Sequence, residues 1–303
     1  MSETRAAAVA EPTDPRESGA IGTATRTRAR EIALSVRGLR KRYVLQRNLW
    51  GTPRRTLDAV KNVSLEIAAG ETLALVGESG AGKSTVGRLV LRLIEPDAGE
   101  IRLLGRDITR LRGRELRRMR ARATMIFQDP YKSLDPKSTI RKSLIEPLRT
   151  QRYPVGSERE EKITALIERV GLSLDHLDRF PYEMSGGQLQ RVAIARALTT
   201  DPQLVVCDEP VAALDMSIRA HVINLLRDLQ RERNLAYLFV SHDLSLVRVI
   251  ADRIAVMRSG EIVECRSAAE LFEDPQHEYT RELLAAIPAP HPRRRTFRPP
   301  PAD

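Results

Sequence analysis

The segment Gly77-Glu78-Ser79-Gly80-Ala81-Gly82-Lys83-Ser84-Thr85 limits what this chain can be more than any other. It fits G-x-x-x-x-G-K-[ST] and follows the apolar run Thr72 to Val76. After it comes Val86 to Ile94, with apolar residues at helical spacing, so the unit reads strand, glycine loop, helix. Glycines let backbone N–H groups converge on phosphates, and the helix N-terminus adds partial positive charge. Lys83 is expected to pair with the β- and γ-phosphates, the Ser84 hydroxyl to ligate Mg²⁺, and Thr85 to contact phosphate.

A second buried run, Leu204 to Cys207, ends in Asp208-Glu209. Ligands of open α/β sheets sit at the carboxyl ends of strands, so Asp208 is expected to hold the magnesium ion and Glu209 to act as general base on water. Strand-like runs recur at Ala123 to Phe127 and Tyr237 to Val240, with a helical segment at Ser217 to Arg231. This alternation predicts a parallel sheet flanked by helices. Upstream, Ile32 to Val44 and Val63 to Ile67 alternate as half-buried antiparallel strands do. Lys137 to Leu198 reads as mostly helical, with helix-spaced segments at Thr139 to Arg149 and Glu158 to Val170. Ile254 to Met257 and Glu261 to Glu264 flank a Ser259-Gly260 hairpin turn. Short helices are expected at Ala268 to Phe272 and Tyr279 to Ala286.

Composition excludes several classes. The 303 residues are 42% hydrophobic, enough for a sizeable core, yet no apolar run approaches the roughly 18 residues of a spanning helix. Residues 1–30 lack an apolar signal core and read as a disordered leader, and 289–303 as a disordered basic, proline-rich tail. Two cysteines, Cys207 and Cys265, form neither a disulfide framework nor a metal cluster. The net charge of +10 is concentrated in Arg26 to Arg42, Arg102 to Arg122 and Arg293 to Arg298. It fits a solvated surface and tails, or an anionic membrane face or other acidic partner.

Met184-Ser185-Gly186-Gly187-Gln188, followed by Leu189 to Leu198, resembles the signature motif and following helix of ATP-binding-cassette (ABC) ATPases. The resemblance implies an α/β fold with a RecA-like parallel core, an antiparallel β subdomain and a helical signature subdomain at about 137–198, the ATPase domain covering 31–265. It implies two head-to-tail cassettes sandwiching ATP, with Ser185, Gly186, Gly187 and Gln188 meeting the γ-phosphate held by the other subunit. Tyr43 resembles the residue that stacks on adenine, Gln128 the glutamine that reaches magnesium and water, and His242 the switch histidine. Asp215 corresponds to the loop communicating across the dimer, where Ala212 departs from the usual Ser.

Phe127 to Pro136 and Glu209 to Ile218 are similar to segments of bacterial oligopeptide, dipeptide and nickel importer ATPases, and Phe272 to Leu284 resembles their C-terminal extension, taken as 266–288, with Glu278 where Pro is usual. The resemblance implies a second ABC ATPase subunit in a homo- or heterodimer, two membrane permeases and, indirectly, an extracytoplasmic solute-binding protein. It implies a peripheral position on the cytoplasmic face of the cell membrane, peptide as cargo, and no nucleic-acid partner. The segment from Gln128 to about Arg149 is expected to dock a permease. An exporter subunit and a soluble non-transport ABC ATPase stand as alternatives.

Overall fold

The protein is described by a computed structural model over residues 31–47 and 53–286; the expected leader and tail lie outside the described residues. A four-stranded antiparallel sheet has the order β2-β1-β4-β5, formed by β1 (Ile32–Arg47), β2 (Pro53–Ala68), β4 (Ala98–Leu103) and β5 (Arg106–Asp107). Its buried side carries Leu34 and Val36 of β1, Val63 and Ile67 of β2, and Ile101 and Leu103 of β4. The sequence alone does not mark β4, because Gly99, Glu100 and Arg102 leave only Ile101 and Leu103 as large alternating apolar residues. Pairing of Leu34 with Leu103 and of Val36 with Ile101 makes it a strand.

The second sheet has the order β10-β9-β3-β8-β7-β6. Its strands are β3 (Thr72–Val76), β6 (Ala123–Ile126), β7 (Leu204–Asp208), β8 (Ala236–Ser241), β9 (Arg253–Arg258) and β10 (Glu261–Ser267). β6, β7, β8, β3 and β9 run parallel as expected, and β10 returns antiparallel to β9. The return turn holds Ser259 at φ 48° and Gly260 at φ 88°, both left-handed as a tight hairpin requires. Every residue of β3, β7 and β8 is buried. Leu73, Leu75, Val206 and Leu238 enter one core, whereas Ala74, Val76, Cys207 and Phe239 enter another. Burial on both faces explains why these strands read as continuous apolar runs.

Helix α1 (Lys83–Val90) begins on the glycine loop and ends earlier than the apolar spacing predicts. Arg92 turns left-handed at φ 54° and stops it. The freed Leu91 and Arg92 carbonyls accept from the guanidinium of Arg120, on α2 (Gly113–Arg120), through Nε at 3.1 Å and through Nη2. Burial, with Arg92 nearby, lowers the pKa of Arg120.

Between β6 and β7 lie α3 (Ile140–Thr150), α4 (Ser157–Arg169) and α5 (Gly186–Leu198), with short 3-10 turns at Leu174–Asp178 and Pro181–Glu183. Pro147, inside α3, has no N–H to give the Ser143 carbonyl. Arg196 of α5 supplies the missing donor, Nε reaching Ser143 O at 3.2 Å while Nη2 pairs with Glu146 at 2.8 Å. The remaining helices are α6 (Met216–Arg233), α7 (Leu244–Ile250), α8 (Ala268–Glu273) and α9 (Glu278–Ala285).

Helix α1 lies close against β7 at Gly87, where an added Cβ would stand 3.0 Å from Val206 Cγ1. Gly87→Val should overpack this contact at a cost of about 1–3 kcal/mol, read as a melting temperature lower by a few degrees in a circular-dichroism melt. An unchanged melt would mean that the helix can lift from the sheet freely.

Candidate active site

Two glycines of the loop are demanded by close backbone approach. Gly77 has φ 147°, and a Cβ there would lie 2.1 Å from the Met257 carbonyl oxygen. Gly82 has φ 103°, and a Cβ there would lie 2.1 Å from the Ala59 carbonyl oxygen. The loop is also held from the β9–β10 turn, where Gly260 N–H donates to Ala81 O at 3.0 Å. No side chain caps the start of α1, so its first-turn amides are left for a ligand. Lys83 Nζ folds back on the loop, donating to Gly77 O at 2.7 Å and Glu78 O at 2.8 Å. Burial lowers its pKa, against the pull of Glu209, Asp208 and Glu78. Ser79 and Gly80 are exposed, Ala81 is buried, and Ser84 and Thr85 continue the first turn of α1.

At the end of β7, Asp208 Oδ1 accepts the Ser84 hydroxyl at 2.7 Å. Burial pushes the Asp208 carboxyl upward in pKa, while Ser84, Arg88 and Lys83 oppose the shift and Glu209 adds to it. Glu209 is the hub: Oε2 accepts Gln128 Nε2 at 2.9 Å, and Oε1 lies 3.0 Å from His242 Nδ1. An ionised carboxylate only accepts, so that imidazole nitrogen carries the proton. The Glu209 side chain is 19% exposed and that of His242 60%. Glu209 itself sits at φ 49°, a left-handed conformation costing roughly 1–3 kcal/mol for such a residue, and its N–H donates to Val240 O at 3.0 Å. That strained turn swings the side chain off the strand end.

The fold thus joins Lys83, Ser84, Gln128, Asp208, Glu209 and His242 at one sheet edge. It keeps Ser185 to Gln188 elsewhere, at the start of α5, with no hydrogen bond to Glu209 among the described residues. Ser185 and Gln188 form a capping box: Ser185 Oγ accepts Gln188 N–H at 3.3 Å and Gln188 Oε1 accepts Ser185 N–H at 2.9 Å. Ser185 and Gly186 are exposed, while Gly187 is buried, its hypothetical Cβ 2.8 Å from Ile218 Cγ2. Asp215 caps α6, accepting Ile218 N–H at 3.0 Å. Tyr43, half-buried on β1, has Lys41 Nζ 5.8 Å from its ring centre.

Two contributors were not legible in the sequence. Arg219 Nε donates to Leu214 O at 2.8 Å and Nη2 to Ala212 O at 3.3 Å, clamping the segment after Glu209. Tyr279, from α9, accepts the Glu78 N–H at 3.0 Å. Arg219 lies outside the quoted motifs, and although Tyr279 falls in the segment likened to the C-terminal extension, its contact joins positions some two hundred residues apart.

The sequence profile of the ABC transporter family matches residues 60–212, half of the chain, spanning the loop, Gln128, Ser185 to Gln188 and the Asp208-Glu209 pair. The chain belongs to the ABC transporter family. This ABC cassette also matches the oligopeptide/dipeptide transporter C-terminal region over residues 263–302. The glutathione import ATP-binding protein GsiA of Shigella flexneri serotype 5b is 50% identical over 264 residues, covering 87% of this chain and 42% of that protein. The protein of the same name from Salmonella typhimurium is 49% identical over the same length. The cassette therefore spans less than half the length of these relatives. Among solved structures, the dimeric post-hydrolysis state of the ATP-binding cassette MJ0796 bound to ADP and Pi matches with a TM-score of 0.69 at 28% identity, over 78% of this chain and 98% of that one. CbiO1 from Clostridium perfringens shares the fold, with a TM-score of 0.67 at 24% identity over 80% and 92% of the two chains. The expected cassette fold is the one found.

Gly82→Ala should weaken ATP binding roughly tenfold or more, because the methyl cannot fit against the Ala59 carbonyl without moving the loop. Equilibrium dialysis with labelled ATP reads this directly, and wild-type affinity would show the loop to be more compliant than its contacts imply.

Proposed function

We propose that this chain is the ATP-hydrolysing subunit of an ABC importer for peptides, coupling Mg-ATP binding and hydrolysis at a head-to-tail cassette dimer to solute uptake. The observation that carries the catalytic part is the Glu209 carboxylate held between Gln128 and His242 beside the glycine loop. The peptide-importer part is supported by the match of 263–302 to the oligopeptide/dipeptide transporter C-terminal region, and by relatives named for glutathione import.

Magnesium fits the residues present. Ser84 Oγ and Asp208 Oδ1 stand together, a hydroxyl and a carboxylate oxygen of the hard type this ion takes, and the Gln128 amide reaches the neighbouring carboxylate. When bound, the ion neutralises charge on the β- and γ-phosphates. The chain's own groups do the rest. Lys83 leaves the Gly77 and Glu78 carbonyls for the phosphates, whose charge repays its burial. Glu209 takes the proton of the attacking water as general base, worth roughly 10²–10⁴ in rate. Gln128 and His242 hold the two carboxylate oxygens in orientation, and His242, with its exposed side chain, is read as the switch histidine for the γ-phosphate. The loop amides and α1 N-terminus bind and orient the phosphates.

Ser185, Gly186, Gly187 and Gln188, with Asp215, are read as the surface offered in trans to ATP on a second cassette, and Tyr43 as the adenine platform. Ser185 keeps its capping role as an exposed residue. No helix among the described residues is long and apolar enough to cross a membrane, and we read the chain as peripheral, docked on two permeases fed by an extracytoplasmic binding protein. A cavity of about 810 Å³, lined by Arg114, Arg117 and Arg118 of α2, by Phe127 and by Pro147 and Gln151 of the α3 region, is the proposed permease seat. Its arginines favour an acidic partner helix.

Three outcomes test the reading. Glu209→Gln should slow phosphate release by roughly two or more orders of magnitude while ATP still binds; unchanged turnover would remove the general-base assignment. Arg118→Glu should cut peptide uptake in membrane vesicles carrying the assembled transporter and leave ATP affinity unaltered, and normal uptake would move the permease seat elsewhere. Tagging the chain in its host should recover two permeases and a second cassette, whereas recovery of DNA-bound or ribosomal proteins would overturn the transport reading.

A further inference from the structure

Helix α9 lies outside every nucleotide motif, yet it reaches into the glycine loop. The Tyr279 hydroxyl accepts the backbone N–H of Glu78 at 3.0 Å. Tyr279 is only 2% exposed, and the Arg258 guanidinium lies 4.7 Å from its ring centre. The residue so gripped is one whose carbonyl takes Lys83 Nζ, at 2.8 Å. Glu78 is therefore bonded on both sides, by the C-terminal helix through its N–H and by the loop lysine through its carbonyl.

The helix that carries Tyr279 is itself pinned. The Glu264 carboxylate of β10 accepts Gln276 N–H at 2.9 Å and His277 N–H at 3.0 Å. His277 Nδ1 accepts Tyr279 N–H at 3.1 Å, and Arg266 Nη1 donates to Asp274 O at 2.9 Å. Four hydrogen bonds fix the approach to α9, so the hydroxyl arrives on a rigid mount.

We propose that Tyr279 is a positioning residue for the phosphate loop: its hydroxyl holds the Glu78 peptide in place, so that the amides following it converge on the nucleotide phosphates once Lys83 lets go of the Glu78 carbonyl. When lysine turns to the phosphates, the Glu78 carbonyl keeps only the Ala81 N–H at 3.2 Å, and the Tyr279 bond is the side-chain restraint that remains on Glu78. A buried phenylalanine ring there would fill the same space and leave the Glu78 N–H without this partner. The C-terminal extension thereby takes part in nucleotide binding in cis. The inference rests on the reading of the glycine loop as the ATP site.

Tyr279→Phe in the full chain separates the hydroxyl from the ring. Titration with the fluorescent analogue mant-ATP and magnesium should show affinity about three- to tenfold weaker than wild type, the worth of one hydrogen bond. The KM for ATP should rise likewise while kcat stays within about twofold, since Glu209, Gln128 and His242 are untouched. Hydrogen–deuterium exchange in the unliganded chain should be faster in the peptide spanning Gly77 to Thr85 and unchanged in α5. Tyr279→Ala, which also empties the ring site, should add a lower melting temperature to the same loss of affinity. Wild-type affinity in Tyr279→Phe overturns the proposal, as does weakened affinity without faster exchange in the loop. If the wild-type chain binds no mant-ATP, the nucleotide reading falls and the proposal with it; if wild type binds and Tyr279→Phe binds equally, the proposal alone falls.

Discussion

Five parallel strands buried on both faces can change from apolar to polar only where they end, and the candidate site is built from those endings. β3 runs into Gly77, β6 into Gln128, β7 into Asp208 and Glu209, and β8 into His242. The ladder between β7 and β8 sets Asp208 opposite Val240, which puts Glu209 and His242 within reach of one another. A slip of one residue would displace an ending by about 3.3 Å and turn each side chain to the other face. The short bonds joining Ser84 to Asp208 and Glu209 to its two partners would not survive that. Register in the core is thus the condition for chemistry at the edge.

Charge at that edge is held under tension. Burial depresses Lys83 and elevates Asp208, so each is penalised for its ionised form while both face one small volume. Two backbone carbonyls and one hydroxyl are the partners of the moment. In the proposed reaction a polyphosphate with its cation supplies stronger ones to both groups at once, and the lysine can switch because its present partners are neutral. Strain at Glu209 works in the same direction, since its left-handed turn is compensated by the Val240 carbonyl and by the flanking side-chain bonds.

Much of this could be read from the sequence because β3, β7 and β8 are fully buried and short, and each is followed by polar residues of distinct chemistry. The loop, the Asp208-Glu209 pair and the β9–β10 hairpin carry their own local signals, and the cassette resemblance ordered them. Elements stabilised by distant partners were less visible. β4 has too few large apolar residues to declare itself, and α1 stops at the left-handed Arg92, with the freed carbonyls taken up by Arg120 from another helix. Helix α3 was legible from its spacing at Thr139 to Arg149 in spite of Pro147, and what stayed hidden is the Arg196 side chain that reaches the Ser143 carbonyl in place of the missing N–H. Arg219 and Tyr279 act on backbone atoms, a kind of contact that leaves no pattern in residue type.

The absence of a side chain at Gly187 lets the start of α5 rest directly on Ile218, whose own amide is capped by Asp215. The turn at Ser185 to Gln188 and the head of α6 therefore meet at Gly187 with no room for a side chain. A larger side chain on either side of that contact must push the other back, since an added Cβ at Gly187 would already stand 2.8 Å from Ile218 Cγ2. Bulk introduced at Ile218, far from the signature in sequence, would be felt as a misalignment of Ser185.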